Sequence, residues 1–202
     1  MEKRKLKLVN MKKIKDGRFI KNYQLTYLNQ NTQREKHYEM ISFNEMTHPD
    51  DLGSHNGGVA IIALYHGKLL LLKEFRMAVN EDVYNLVAGR IEKGETIADC
   101  VRRELHEETG LTLTNILQIL PPTYAAAAMS DLKMTFVVAE VDGDLTHDHL
   151  TENEEITARF YSPQEVSQLL EQPNFNANCQ LVAWFYCFIS IFAKEGWPNV
   201  KA

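Results

Sequence analysis

The densest chemistry in the 202-residue chain lies in one stretch, GRIEKGETIADCVRRELHEETGL, from Gly89 to Leu111. It carries five glutamates: Glu92, Glu95, Glu104, Glu107 and Glu108. Thr96 followed by Asp99 forms a capping box, in which each side chain accepts from the other's backbone N–H, so a helix is predicted to begin near Ile97. Gly110 is its natural stop, because glycine takes the left-handed conformation that closes a helix. On that helix Glu104, Glu107 and Glu108 stand at i, i+3 and i+4 and share one face. The apolar stripe of Ile97, Ala98, Val101 and Leu105 is centred only about 80° away, at roughly 100° per residue. The carboxylates therefore border the buried edge of the helix instead of opposing it. Like charges so placed repel, more strongly where half-buried, and need compensation. Oxygen-only ligands suit a hard divalent cation, Mg²⁺ first and Mn²⁺ second. Arg102 and Arg103 compensate part of the charge, with Glu95 across the loop as the better partner of Arg103. Taken alone, three glutamates fit a solvated acidic face crossed by salt bridges better than a metal site.

The elements that must hold this helix are readable in outline. Tyr23–Leu28 and Lys36–Phe43 read as strands around the polar turn Asn29-Gln30-Asn31. Residues 44–58 read as loop. Val59–Tyr65 and Lys68–Lys73 are apolar runs joined by His66-Gly67, a two-residue hairpin. Met134–Val141 and Ile156–Tyr161 read as further strands. Ser162, Pro163 and Glu165 give a cap, a first helical residue and a capping box for a helix reaching about Glu171. A last apolar helix is predicted from about Asn178 to Ala193, ending before Gly196 and Pro198. Strands alternating with about three helices make the class α+β with a mixed sheet.

Composition narrows the function. Twenty-seven acidic against 22 basic residues give a formal charge of −5, a poor balance for a general nucleic-acid binder. Residues 1–21 run the other way, with nine Lys/Arg against Glu2 and Asp16, and read as a basic edge strand or hairpin that resists aggregation. Cys100, Cys179 and Cys187 are scattered and odd in number. That excludes a disulfide framework and an obvious zinc site, and it suits a reducing cytoplasm. No secretory signal is visible after the charged start, and Leu181 to Ala193 is too short and polar for a membrane span.

The full spacing of the acidic stretch resembles the Nudix box: Gly, five residues, Glu, seven residues, Arg-Glu-apolar-x-Glu-Glu-x-Gly-apolar. Gly89, Glu95, Arg103, Glu104, Leu105, Glu107, Glu108, Gly110 and Leu111 all match. The resemblance implies an α/β/α sandwich in which the box is a loop–helix–loop. It implies that Glu104 and Glu108 ligate Mg²⁺, with Glu107 and the Ala88 backbone carbonyl as further ligands. Glu95 and Arg103 would fix the loop against the helix, and Gly89 and Gly110 would supply tight turns.

Outside the box the chain is similar to the ADP-ribose pyrophosphatase and nucleotide-sugar branch of that family. The similarity implies a strand extension at residues 1–45, used for dimerisation and substrate binding, before a Nudix domain at 46–202. Arg76 falls where that branch has an arginine reaching the substrate diphosphate. Thr151–Ile156 resembles its acidic catalytic loop, which makes Glu152 the candidate base, with Glu108 as the substitute, and Glu154 a further metal ligand. Tyr38 would stack on the base, shared across a homodimer whose N-terminal strands are exchanged. His37, His55, His147 and His149 read as packing or solvated residues. Tyr124-Ala125-Ala126-Ala127-Ala128-Met129 replaces a proline-containing loop of that branch, so a smaller, more flexible loop would meet the far phosphate. The implied reaction is Mg²⁺-dependent hydrolysis of a nucleoside diphosphate linked to another moiety, ADP-ribose or a nucleotide sugar. Action on nucleoside triphosphates or capped RNA, and a non-catalytic nucleotide sensor, are the alternatives.

Overall fold

The computed structural model describes residues 4–195; the expected helix stop at Gly196 and Pro198 lies outside them. The chain begins with strands β1 (Leu6–Asp16), β2 (Lys21–Asn29) and β3 (Glu35–Ser42), and a short 3-10 turn at Pro49–Asp51. Strands β4 (Asn56–Tyr65), β5 (Lys68–Arg76), β6 (Glu81–Asn85) and β7 (Val87–Arg90) then lead into helix α1 (Ile97–Thr109). After it come β8 (Thr112–Ile119), β9 (Thr123–Tyr124), β10 (Lys133–Asp142) and β11 (Ile156–Tyr161), followed by α2 (Pro163–Leu169) and α3 (Ala177–Glu195). The class is α+β with a mixed sheet. Contacts divide the chain into two compact units, Met1–Gly58 with Pro121–Thr135, and Val59–Leu120 with Phe136–Ala202.

In the first unit β1, β2 and β3 form an antiparallel sheet in that order. The basic segment is thus an edge strand, and its two register shifts and its lysines both discourage pairing with another edge. Tyr23, Leu25, Met40 and Met46 are buried together, with Leu8, Met11, Tyr27 and Leu52 packed around them. The Tyr23 hydroxyl accepts from the Met46 backbone N–H at 2.8 Å, so the polar end of a buried ring is satisfied. The unit's own residues cover Leu25 and Met40, two of the apolar strand residues; Phe19 and Ile20 stay exposed. The alanine loop is tied down as well. Ile41 N–H donates to the Met129 carbonyl at 2.9 Å, and the Tyr38 hydroxyl donates to the Ala128 carbonyl.

In the second unit the strand order is β11-β5-β4-β10-β8, with β6 on β5 and β7 on β4. His66 and Gly67 turn the β4–β5 hairpin with φ of 47° and 75°, the doubly positive geometry of a type I′ two-residue loop. Leu69, Leu70, Leu71 and Leu72 of β5 are all fully buried, so this strand is covered on both faces. Leu70 and Leu72 share a core with Val101 and Leu105 of α1. Burying a leucine contributes roughly 1.5–3 kcal/mol, which anchors α1 against the sheet. Strands β6, β7 and β8 were not singled out by the sequence pattern; β7 and β8 pack against α1, and β6 pairs with β5 and packs against α3.

Candidate active site

The loop entering α1 is built from its own polar side chains. Thr96 and Asp99 form the expected reciprocal cap, and Gly110 closes the helix in the left-handed conformation at φ 75°. The Glu95 carboxylate accepts from the Glu92 N–H at 2.8 Å and from Arg103 Nε and Nη2 at 2.9 and 3.0 Å. This two-pronged pairing holds the Glu95 carboxyl well down, at about 2, the Arg103 guanidinium being the largest cause. Arg103 also donates to the Arg90 carbonyl at 2.8 Å, Glu104 Oε1 at 2.6 Å and Glu107 Oε2 at 3.0 Å. One guanidinium thereby fastens the loop to the helix and partly offsets two of the three box carboxylates.

Glu104 is buried against Gly89, where any Cβ would overlap its carboxylate. Glycine is needed there for close approach. Burial raises the Glu104 carboxyl from its ordinary value, and Arg103 opposes the rise. Glu108 is the more perturbed group. Its carboxyl is pushed up to about 9, first by burial, then by the negative charges of Glu104 and Glu74, with Glu154 adding to them. The Ala88 N–H works against that shift by hydrogen bonding to the carboxylate. Oε2 of Glu108 is buried and has no hydrogen-bond partner, a costly arrangement unless a ligand supplies one.

Among the described residues no group of three His, Cys, Asp or Glu is arranged to hold a metal ion; Glu104 and Glu107 are both drawn to Arg103 instead. The residues nevertheless fit a hard divalent cation. The donors are carboxylate oxygens, one buried oxygen is partnerless, and the bare Cα of Gly89 leaves space for Glu104.

Of the flanking residues, Arg76 lies at the end of β5, half-exposed, and donates to Glu74 Oε1 at 2.5 Å. Asn85 Nδ2 donates to the other Glu74 oxygen at 3.2 Å. Glu74 was not singled out from the sequence; its only signal there was its place two residues before Arg76. Glu154 accepts from the Thr151 N–H at 2.9 Å in the acidic loop and adds to the negative field on Glu108. Glu152 is exposed on the same turn. Tyr38 belongs to the first unit, where with Tyr27, Tyr124 and Met129 it lines a cavity of about 300 Å³. The Thr26 hydroxyl lies 3.2 Å from His37 Nδ1 and the Ser54 hydroxyl 2.7 Å from His55 Nδ1; the His149 ring lies against His106 at 4.2 Å between centroids. Burial pushes the thiols of Cys100 and Cys179 up to about 12, so neither is poised as a nucleophile.

The family model for the NUDIX domain matches residues 54–185. The ADP-ribose pyrophosphatase of Bacillus subtilis (strain 168) is 31% identical over 114 residues, covering 53% of this chain and 61% of that protein. The NAD-capped RNA hydrolase NudC of Vibrio parahaemolyticus is 39% identical over 67 residues, 33% of this chain and 25% of that one. The chain thus spans less than two thirds of the length of either relative. Among solved structures, the crystal structure of ADP compounds hydrolase superposes with a TM-score of 0.74 at 20% identity, covering 97% of this chain and 98% of that one; the two share a fold.

Proposed function

The chain belongs to the NUDIX family, and from that premise we propose that it is a Mg²⁺-dependent hydrolase of a nucleoside diphosphate linked to another moiety, ADP-ribose or a nucleotide sugar. The observation that carries this reading is the buried, partnerless Oε2 of Glu108 beside Glu104 and the bare Gly89. Burial and neighbouring carboxylates make ionising Glu108 unfavourable, and a bound cation would offset that cost. The similarity to the Bacillus subtilis ADP-ribose pyrophosphatase supports the substrate class. Mn²⁺ would serve as the substitute metal.

Glu104 and Glu108 would hold the metal, with Glu107, the Ala88 carbonyl and Glu154 as further donors. Bound there, a divalent ion would supply Lewis-acid charge that offsets the diphosphate and favours deprotonation of the attacking water. Glu152 accepts the proton of the attacking water, or Glu108 does in its place. Arg76 turns from Glu74 to offset charge on the phosphoryl group as it transfers. Glu95 and Arg103 keep the loop at a fixed distance from α1. Tyr38 stacks on the nucleobase. The protein acts as a homodimer, and its thiols suit a reducing cytoplasm; among the described residues no helix is long and apolar enough to cross a membrane.

The test is a substrate panel in saturating Mg²⁺: ADP-ribose, nucleotide sugars, dinucleoside polyphosphates, nucleoside triphosphates and NAD-capped RNA. ADP-ribose or a nucleotide sugar should turn over fastest, and Glu104→Gln should slow it at least about 10²-fold with the fold intact. Preference for a triphosphate or the capped RNA would overturn the substrate class. Near-normal turnover by Glu104→Gln would overturn the box as the active centre.

A further inference from the structure

The cavity of the first unit has a floor and a rim of different character. Leu25 and Tyr27 of β2 and Tyr38 and Met40 of β3 alternate along paired strands, with Leu25 opposite Tyr38, so all four share the sheet face that lines it. Tyr124 of β9, with Met129 and Asp131 of the loop that follows, forms the rim. A volume of about 300 Å³ is at the small end of ligand sites and suits one ring system. Asp131 supplies the polar feature. Its Oδ2 accepts from the Gly53 N–H at 3.2 Å. Its Oδ1 is buried and has no hydrogen-bond partner, which is costly for a carboxylate unless a ligand donates to it. The neighbouring cation is engaged elsewhere: Lys133 donates to the Gly53 carbonyl, and its Nζ lies 5.0 Å from the centre of the Tyr124 ring. Gly53 has φ of 62°, and a Cβ there would crowd the Tyr124 hydroxyl. Both backbone groups of Gly53, together with the Tyr38 hydroxyl on the Ala128 carbonyl, therefore hold the rim in place before any ligand arrives.

We infer that Asp131 selects the nucleobase: its Oδ1 accepts a hydrogen bond from an exocyclic amino group on a ring stacked among Tyr27, Tyr38 and Tyr124. This rests on the reading of Tyr38 as a base-stacking residue and narrows it from any base to an amino-bearing one. Every base offers a π-face, so the tyrosines alone do not discriminate. The edge of the ring does. An amino group donates to a carboxylate oxygen, whereas a carbonyl in the same place sets two acceptors against each other. Adenine carries an amino group where hypoxanthine carries a carbonyl, and the two rings are otherwise alike in size. Uracil, with a carbonyl where cytosine has its amino group, falls among the rejected bases by the same argument. A bare metal ion is a poor occupant, because one free oxygen falls far short of the roughly six that a hard divalent cation takes.

Isothermal titration in EDTA tests this without metal or hydrolysis, using ADP, IDP and the diphosphate of purine riboside, which has only hydrogen in place of the amino group. ADP should bind about 10–100-fold more tightly than either analogue, the range for losing one charge-assisted hydrogen bond. Asp131→Asn keeps an acceptor for the Gly53 N–H and offers an amide N–H to the ligand. ADP should therefore weaken and IDP gain, so that the ratio of their affinities falls at least about 10-fold with the melting temperature unchanged. Tyr124→Leu should weaken both ligands by a common factor of about 5–100 and leave their ratio as in wild type; a purely structural Asp131 would give no such split. The wild-type series needs no variant, so the inference stays testable if either substitution misfolds. Equal wild-type affinity for ADP and IDP overturns it, as does a ratio that Asp131→Asn leaves untouched. Absence of ADP binding up to about 5 mM overturns it as well, and so does displacement of ADP by tetramethylammonium, which would make an organic cation the occupant. Failure here with ADP-ribose still hydrolysed in Mg²⁺ leaves the hydrolase reading standing; selective ADP binding without hydrolysis of any substrate in the panel does the reverse.

Discussion

Replacing Glu108 by glutamine should make the metal-free protein more stable. The Glu108 carboxyl is raised from 4.5 to about 9 in the folded chain, chiefly by burial and then by Glu104 and Glu74. Below pH 4.5 the group is protonated whether the chain is folded or not, and it exacts no penalty. Between pH 4.5 and 9 the unfolded chain releases the proton and the folded chain keeps it, so stability falls by about 1.4 kcal/mol per pH unit. At about pH 7.5 the ceiling is therefore roughly 4 kcal/mol. Relaxation and water entry around the side chain reduce this to roughly 2–3 kcal/mol. For a chain of this size that is roughly 5–10 °C of melting temperature. Glu108→Gln is neutral at every pH and escapes the penalty. The assay is thermal unfolding of both proteins in EDTA and in saturating Mg²⁺, at about pH 5 and pH 7.5. In EDTA the variant should melt higher at pH 7.5, with the gap nearly closed at pH 5. Saturating Mg²⁺ should stabilise the wild type by about 2.7 kcal/mol at a hundredfold excess over its dissociation constant, and leave the variant within a degree or two. A variant that melts no higher than wild type in EDTA at pH 7.5 would falsify the buried-charge argument. Equal stabilisation of both by Mg²⁺ would remove Glu108 as a ligand.

Three further outcomes follow from the same geometry. Gly89→Ala should fold normally, because the three atoms nearest its new methyl all belong to the carboxylate end of Glu104, but displacing that carboxylate should weaken Mg²⁺ binding about 10–100-fold in a metal titration; unchanged affinity would show that Glu104 does not need its present position. Glu95→Gln should lower the melting temperature by a few degrees at neutral pH with Mg²⁺ affinity unchanged. The wild-type Glu95 contribution should fade as pH falls from 4.5 towards about 2, so the two proteins should converge in acid, and a loss of metal affinity without a loss of stability would make Glu95 a ligand. Glu152→Gln should cost turnover about 10²-fold or more with little change in KM, whereas an unaffected rate would leave proton acceptance to Glu108.

The parts of the fold that were legible in the sequence are those fixed by short-range chemistry. The two-residue turn at His66-Gly67, the reciprocal caps at Thr96–Asp99 and Ser162–Glu165, and the stop at Gly110 all depend on residues within four positions of one another, and each stands where expected. Strands β6, β7 and β8 escaped because their residues are mostly exposed or half-buried. Neither strict alternation nor a continuous apolar run marks them. The alanine loop misled for a related reason. Four consecutive alanines suggest mobility, but the tethers are backbone groups of Ala128 and Met129, which carry no signature in side-chain identity.

The candidate site divides along the same line. The glutamates of α1 and the Glu95–Arg103 pair are periodic or near in sequence, so helix geometry alone brings them together. The group that completes the negative field comes from elsewhere. Glu74 sits on β5, more than thirty positions before Glu108, and is held by Asn85 of β6 through the β5–β6 pairing. Its contribution arises only when the sheet forms and α1 packs on it. Glu154 reaches Glu108 in the same way, its loop hydrogen bonded to β5 where Phe75 N–H donates to the Glu155 carbonyl at 3.0 Å. Four carboxylates therefore converge from three separate segments on a region where burial already disfavours charge. Sequence spacing predicts that carboxylates share a helix face. Only the assembled sheet raises the Glu108 carboxyl to about 9, and that strain is what a bound cation would relieve.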